Sequence, residues 1–151
     1  MSTRRPPTAV THSERLVPSP GVWAAVLLLG AIALVASLPL GPVVGIAAAA
    51  AVVVGTGLAL VLNAPVVRVD AEGLRAGRAW IGREHLGAVI ALEGEDARQA
   101  RGPGLDARAY LCLRGWVPDL VRVEVVDPAD PTPYWLVSTR RPQALAAALQ
   151  G

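Results

Sequence analysis

Residues able to do chemistry are few in this chain, and they stand apart from one another. His85 follows Glu84 and is the sole histidine after residue 65. The pair could titrate or donate to a ligand. No second His, no Cys and no suitably spaced carboxylate stands beside it, so the spacing of a zinc site is missing and a turn role is expected. Cys112 lies between Leu111 and Leu113 in a strand-like run. A cysteine nucleophile needs a paired base, and none can be named, so a packed small residue is expected. Glu124, Asp127 and Asp130 form an acidic group that could hold Ca²⁺, but Asp127 and Asp130 each precede a proline, which reads as rigid turn chemistry. Gly102-Pro103-Gly104 lacks the strand–helix setting and the lysine of a phosphate-binding loop. No catalytic residue, no metal and no cofactor is read from these positions, and a non-enzymatic protein is expected.

The remaining candidates bind rather than react. Arg68, Arg75, Arg78 and Arg83 follow a long apolar stretch closely. Arginines in that position attract anionic headgroups, or they only set membrane topology. Trp80, Trp116, Tyr134 and Trp135 are large aromatics in a chain without Phe, and core packing is the expected role for most of them. Tyr134 and Trp135 are adjacent, so a strand would send them to opposite faces. Trp116, in a Gly–Pro loop, is the candidate for a partner or membrane-interface contact. Arg140 and Arg141 precede Pro142 at an expected helix start, where the helix dipole disfavours cations. Trp116, Arg140 and Arg141 are therefore taken together as a candidate partner-contact surface.

The elements that must position these residues divide the chain in two. From Leu16 to Val67 there is no Asp, Glu, Lys or Arg. Two hydrophobic segments, 22–40 and 42–62, meet at Pro39-Leu40-Gly41-Pro42. As helices they would be roughly 28 and 31 Å long, close to the ~30 Å hydrocarbon core of a bilayer. The stretch 18–64 is thus expected to be a transmembrane helical hairpin. Its second half is rich in small residues, from Gly45 to Ala59, which suits close packing against the first span or, alternatively, self-association. No ionisable residue lies inside either span, which speaks against an ion or proton pathway. A cleaved signal peptide ending near Val35-Ala36-Ser37 is a competing reading, set aside because a second span follows at once.

Charge adds an address. Every basic residue is Arg, and the formal net charge is +2, with a pI near 9.3. That charge comes from the first residues, Arg4, Arg5 and Arg15 against Glu14, whereas after residue 65 eleven Arg balance eleven acids. A neutral domain lacks the electrostatic footprint of a nucleic-acid binder. Arginines flank both outer ends of the apolar stretch and none stands at its corner. Both termini are therefore expected in the cytoplasm, with the chain a multi-pass protein of the cell membrane. Residues 1–17 are polar and without period, and a flexible cytoplasmic arm is expected there.

After Asn63-Ala64-Pro65 the hydrophobic period changes to two. Val67–Asp70, Leu74–Ala76, Ala79–Ile81 and Gly87–Leu92 read as four short strands of an antiparallel meander, with turns at Ala71–Gly73, Gly77-Arg78 and Gly82–Leu86. Glu93–Asp106 reads as a polar surface loop with one helical turn at Asp96–Ala100. Ala109–Leu113, Leu120–Val126 and Tyr134–Ser138 add three strands, and Pro142–Gln150 a helix with Leu145, Ala148 and Leu149 on one face.

Seven short strands and one amphipathic C-terminal helix resemble a pleckstrin-homology-like (PH-like) antiparallel barrel, whose helix plugs an open end. The run from Tyr134 to Pro142 resembles the last strand and helix start of such domains. Glu14-Arg15-Leu16, Arg114-Gly115-Trp116-Val117-Pro118, Val121–Val125 and the stretch from Asp127 to Pro142 resemble an uncharacterised family of two-span membrane proteins from high-GC Gram-positive bacteria (domain of unknown function 3093). That resemblance implies no activity and no cofactor. The expected protein is a membrane hairpin carrying a PH-like β domain, residues 65–151, that binds a protein partner or the membrane surface at the cytoplasmic face. Its alternatives are an anionic-lipid reader using Arg68, Arg75, Arg78 and Arg83, a membrane enzyme on lipid-linked substrates, and a scaffold assembling through the hairpin.

Overall fold

The apolar segments form two helices, as their composition requires. The computed structural model describes residues 11–151. It divides into two units, one of residues 17–64 and one holding the rest of the described chain. In the first, α1 (Pro20–Ser37) continues through a short 3-10 turn to Leu40, Gly41 turns the chain, and α2 (Pro42–Leu62) returns. Each helix has proline in its first turn, where a missing N–H costs nothing. The stretches Pro20–Leu40 and Pro42–Leu62 have mean hydropathies of 2.4 and 2.3, and both are long and apolar enough to cross a membrane. The helices approach closely where side chains are small: a Cβ on Gly30 would overlap Val53, and one on Gly57 would lie 3.0 Å from the Trp23 ring. Gly55 meets nothing within 4 Å and points away from this contact. Asn63 closes α2 by donating from Nδ2 to the Ala59 carbonyl at 2.8 Å.

The second unit contains eight strands in two sheets. The first has the order β1-β2-β3-β4, with β1 at His12–Arg15, β2 at Val66–Val69, β3 at Gly73–Ala76 and β4 at Ala79–Gly82, all antiparallel. Two turns set its register. Asp70 Oδ1 accepts the N–H groups of Glu72 and Gly73, each at 3.1 Å, between β2 and β3. Gly77 takes φ +65° between β3 and β4, a left-handed conformation that side-chain-bearing residues avoid. The second sheet has the order β5-β7-β8-β6, with β5 at Leu86–Leu92, β6 at Tyr110–Cys112, β7 at Leu120–Val125 and β8 at Tyr134–Ser138. Two helices complete the unit, α3 (Gly94–Arg101) and α4 (Pro142–Gln150).

The inner faces of both sheets share one core with α4. Val67, Val69, Leu74 and Ile81 come from the first sheet, Val121, Val123, Trp135 and Val137 from the second, and Leu145, Ala148 and Leu149 from the helix. A second cluster lies on the other side of the second sheet. There α3 and the following loop bring Ala97, Ala100 and Leu105 onto Leu120, Tyr134 and Leu136. Burying both faces of one sheet extracts far more apolar area from water than a one-sided sheet could, at ~25 cal/mol per Å².

Three expectations need correction. The stretch 1–17 is not an arm throughout. Residues 1–10 lie outside the described residues, but His12–Arg15 is a strand paired with β2, and Leu16 is fully buried. The alternation His12, Glu14, Leu16 faces inward and was hidden by the polarity of the first two. The strands after Pro65 do not form a single meander either, because the chain leaves the first sheet through a 3-10 turn at Arg83–His85 and β5 pairs with β7. Finally, the β structure is two sheets rather than one closed seven-strand antiparallel barrel, and β6 runs parallel to β8. β7 already occupies the space between β5 and β8, so β6 takes the remaining edge of β8. Side-chain alternation specifies faces but says nothing about which edge a strand joins.

Candidate functional site

The outer face of the β1–β4 sheet gathers several of the expected contact residues. Cross-strand pairing places Ser13, Arg68, Arg75 and Trp80 in one row, one residue from each strand. Arg68 and Arg75 form a directly opposed pair flanked by the Gly77-to-Val66 and Asp70-to-Gly73 backbone bonds. It is thus a hydrogen-bonded pair, with Cα atoms about 5.5 Å apart. Both side chains are exposed, as is that of Arg78 in the next turn. Trp80 is 50% exposed, and Val66, opposite Arg15, is 39% exposed. Among the described residues no carboxylate lies within ion-pair distance of Arg68, Arg75 or Arg78. Of the acids of this sheet, Glu14 faces inward, and Asp70 and Glu72 sit at the β2–β3 turn. Arg78 sits at the opposite end, beside the start of β2.

Arg83 stands apart from this row. Its Nε donates to the Asp70 carbonyl at 3.2 Å and its Nη2 to the Ala148 carbonyl at 3.0 Å. It thereby ties the last turn of α4, where a cation suits the dipole, to the first sheet.

The proposed partner surface is split by its hydrogen bonds. Trp116 is half-buried against the shared core, with the Arg114 guanidinium 6.0 Å from its ring centroid. Its Nε1 is buried and has no acceptor among the described residues. Arg140 and Arg141 expose their side chains, but their backbone N–H groups serve a junction that the sequence did not reveal. Glu14, 8% exposed on β1, accepts the Thr139 hydroxyl at 2.5 Å and the Arg140 N–H at 2.9 Å. The Thr139 hydroxyl oxygen in turn accepts the Arg141 N–H at 3.1 Å. No side chain caps α4; instead a carboxylate from a strand 125 residues away in the chain fixes the two residues, Thr139 and Arg140, that lead into it. His12 lies beside this carboxylate, with Nε2 3.7 Å from Glu14. Burial, and then the nearby Arg141 charge, hold the His12 pKa below its ordinary value against the opposing pull of Glu14.

The other candidates for chemistry are occupied locally. Cys112 is buried, and desolvation raises its thiol pKa, away from a reactive thiolate. Tyr110 and Trp135 pack together in the same core, their rings tilted by 46° with centroids 4.5 Å apart. Asp127 and Asp130 accept the N–H groups of Ala129 and Thr132, each at 2.9 Å, and Glu124 accepts that of Ala88 at 3.2 Å. The Thr132 bonds hold the Asp130 carboxyl below its usual range. His85 lies 3.7 Å from Glu84 and 4.0 Å from Asp127 on a partly exposed turn.

A cleft of about 270 Å³ lies where α3 meets the second sheet, lined by Ile90, Leu92, Asp96, Gln99, Arg122 and Tyr134 among others. The Arg122 guanidinium lies 4.1 Å from the Tyr134 ring centroid, and the Tyr134 hydroxyl accepts the Asp106 N–H at 2.8 Å. Arg122 here covers an aromatic ring at the edge of the second cluster, a packing role for its long stem.

No curated protein and no solved structure matches the chain. The family described as "Protein of unknown function (DUF3093)" matches residues 11–149, which include β1, both apolar helices and nearly all of the β unit, and the chain belongs to that family.

Proposed function

We propose that the chain is an integral membrane protein in which the α1–α2 hairpin anchors a non-enzymatic binding module at the cytoplasmic face. One observation carries this reading. Four residues separate β1 from α1 and three separate α2 from β2, and the two strands are hydrogen-bonded neighbours, with the Leu16 N–H donating to the Pro65 carbonyl at 3.0 Å. A chain threaded that way keeps both outer ends of the hairpin on one side of a bilayer. The arginines at the outer ends of the hairpin and the absence of any at its corner favour that side being cytoplasmic. Two sheets sharing a core with a C-terminal helix support a PH-like reading of the module, in an opened form.

Reporter fusions at residue 1, at Gly41 and at Gly151 test the arrangement, together with alkaline carbonate extraction of the full chain. The expected result is a carbonate-resistant protein with both ends cytoplasmic and Gly41 outside. Release by carbonate, or ends on opposite sides, would overturn it.

A further inference from the structure

We infer that the outer face of the β1–β4 sheet docks on the anionic phospholipid headgroups of the leaflet that the hairpin enters. The inference rests on the membrane-tethered reading above and names the ligand of the module. Four observations converge on it.

Arg68 and Arg75 are directly opposed, an arrangement of like charges that a sheet tolerates poorly unless something anionic lies over it. Among the described residues no carboxylate supplies that anion for Arg68, Arg75 or Arg78. The same face carries half-exposed Trp80 across from Arg75, and exposed Val66. A tryptophan among arginines is the composition of a bilayer interface, where the indole sits at headgroup level and the guanidiniums reach phosphate.

Charge is graded along the strands. Arg15, opposite Val66, and Arg78, beside the Gly77-to-Val66 bond, stand at the end where β2 leaves α2. Asp70 and Glu72 stand at the far turn. The positive end is therefore the one nearest, along the chain, to the apolar helix.

Chain length keeps the row within reach. Arg68 is six residues beyond Leu62, and at ≤ 3.6 Å per residue its Cα lies within about 22 Å of the end of α2. The second sheet offers no comparable surface, because α3 and its loop cover much of its outer face.

The test uses the full chain reconstituted in bilayers of neutral phosphatidylcholine, with and without phosphatidylglycerol. Tryptophan quenching is read from nitroxide-labelled headgroups and from brominated acyl chains, with the Trp80→Phe variant isolating the Trp80 signal. In anionic bilayers the headgroup label should quench Trp80, and high salt should release it. Arg68→Gln with Arg75→Gln should lower the docked-to-undocked ratio about 30-fold, roughly fivefold for each charge removed. Arg68→Lys with Arg75→Lys should restore it, which separates charge from folding.

Trp23 in α1 reports the anchor independently through acyl-chain quenching. Trp23 quenched while Trp80 is equally quenched in neutral and anionic bilayers, or in neither, would overturn the docking and leave the tether standing. Trp80 shielded only when a protein cross-links to this face would also overturn it. An unquenched Trp23 would overturn the tether itself.

Discussion

The two sheets of the β unit have similar inner faces and opposite outer ones. Each inner face contributes valines to one core, joined by Leu74 and Ile81 from the first sheet and Trp135 from the second. On the outer side of the second sheet, Leu120, Tyr134 and Leu136 are buried under α3. On the outer side of the first, the corresponding positions are Ser13, Arg68, Arg75 and Trp80, which remain exposed. The difference teaches where stability resides and which face is left uncovered. The twice-covered sheet holds the unit together, and the once-covered sheet is available to meet something else.

Three experiments would break or sharpen that contrast. The largest effect is expected from paired tryptophan truncations. Trp135→Ala empties a position only 5% exposed in the shared core and should cost about 3–5 kcal/mol. Trp80→Ala, on the uncovered face, should cost under about 1 kcal/mol. Denaturant unfolding of the purified full chain, followed through the β-domain signal, would give both. Equal losses would mean that the two faces are alike.

A smaller contrast lies within β1 itself. Glu14→Ala removes the acceptor of the Thr139 hydroxyl and the Arg140 N–H and should cost about 2–3 kcal/mol. Ser13→Ala, one residue along on the exposed face, should change stability by less than about 0.5 kcal/mol. A neutral Glu14→Ala would show that β1 is held by backbone pairing alone.

The smallest effect is a pH dependence. The His12 pKa is lowered in the folded chain, chiefly by burial and then by Arg141, so the unfolded state takes up a proton first as pH falls. Its stabilising contribution is therefore complete above the unfolded value near 6.5 and is lost as pH drops through the folded one. The Tm should fall from neutral pH to about pH 5.5, and His12→Asn should flatten that slope. An identical slope in the variant would remove His12 from the account.

Much of the fold was legible in the residues. The uncharged run from Leu16 to Val67 announced two helices, and proline, asparagine and glycine marked their ends. The period-two runs placed seven strands within a residue or two of their observed bounds, and Pro142 with Leu145 and Leu149 placed α4. The adjacent pair Tyr134 and Trp135 does face opposite sides, but both are buried, since each face of β8 has its own cluster. The candidate site was legible only in part. Arg68, Arg75 and Arg78 could be picked out for their position after α2, yet nothing local distinguished them from Arg83, which is consumed by two carbonyls. The role of the Arg140 backbone was hidden because the carboxylate that accepts its N–H, Glu14, is distant in the chain.

By itself, the sequence determined the two apolar helices, seven of the strands and α4, because hydrophobic period and turn residues act over a few positions; it did not show β1 or the full length of α3. Only the tertiary structure decided that residues 12–15 belong to the β unit, that Glu14 holds the segment leading into α4, and that Arg68, Arg75 and Trp80 share one bare face. Those outcomes depend on strand partners and register, which are chosen by the total burial of the folded unit and leave no mark on any single stretch of chain.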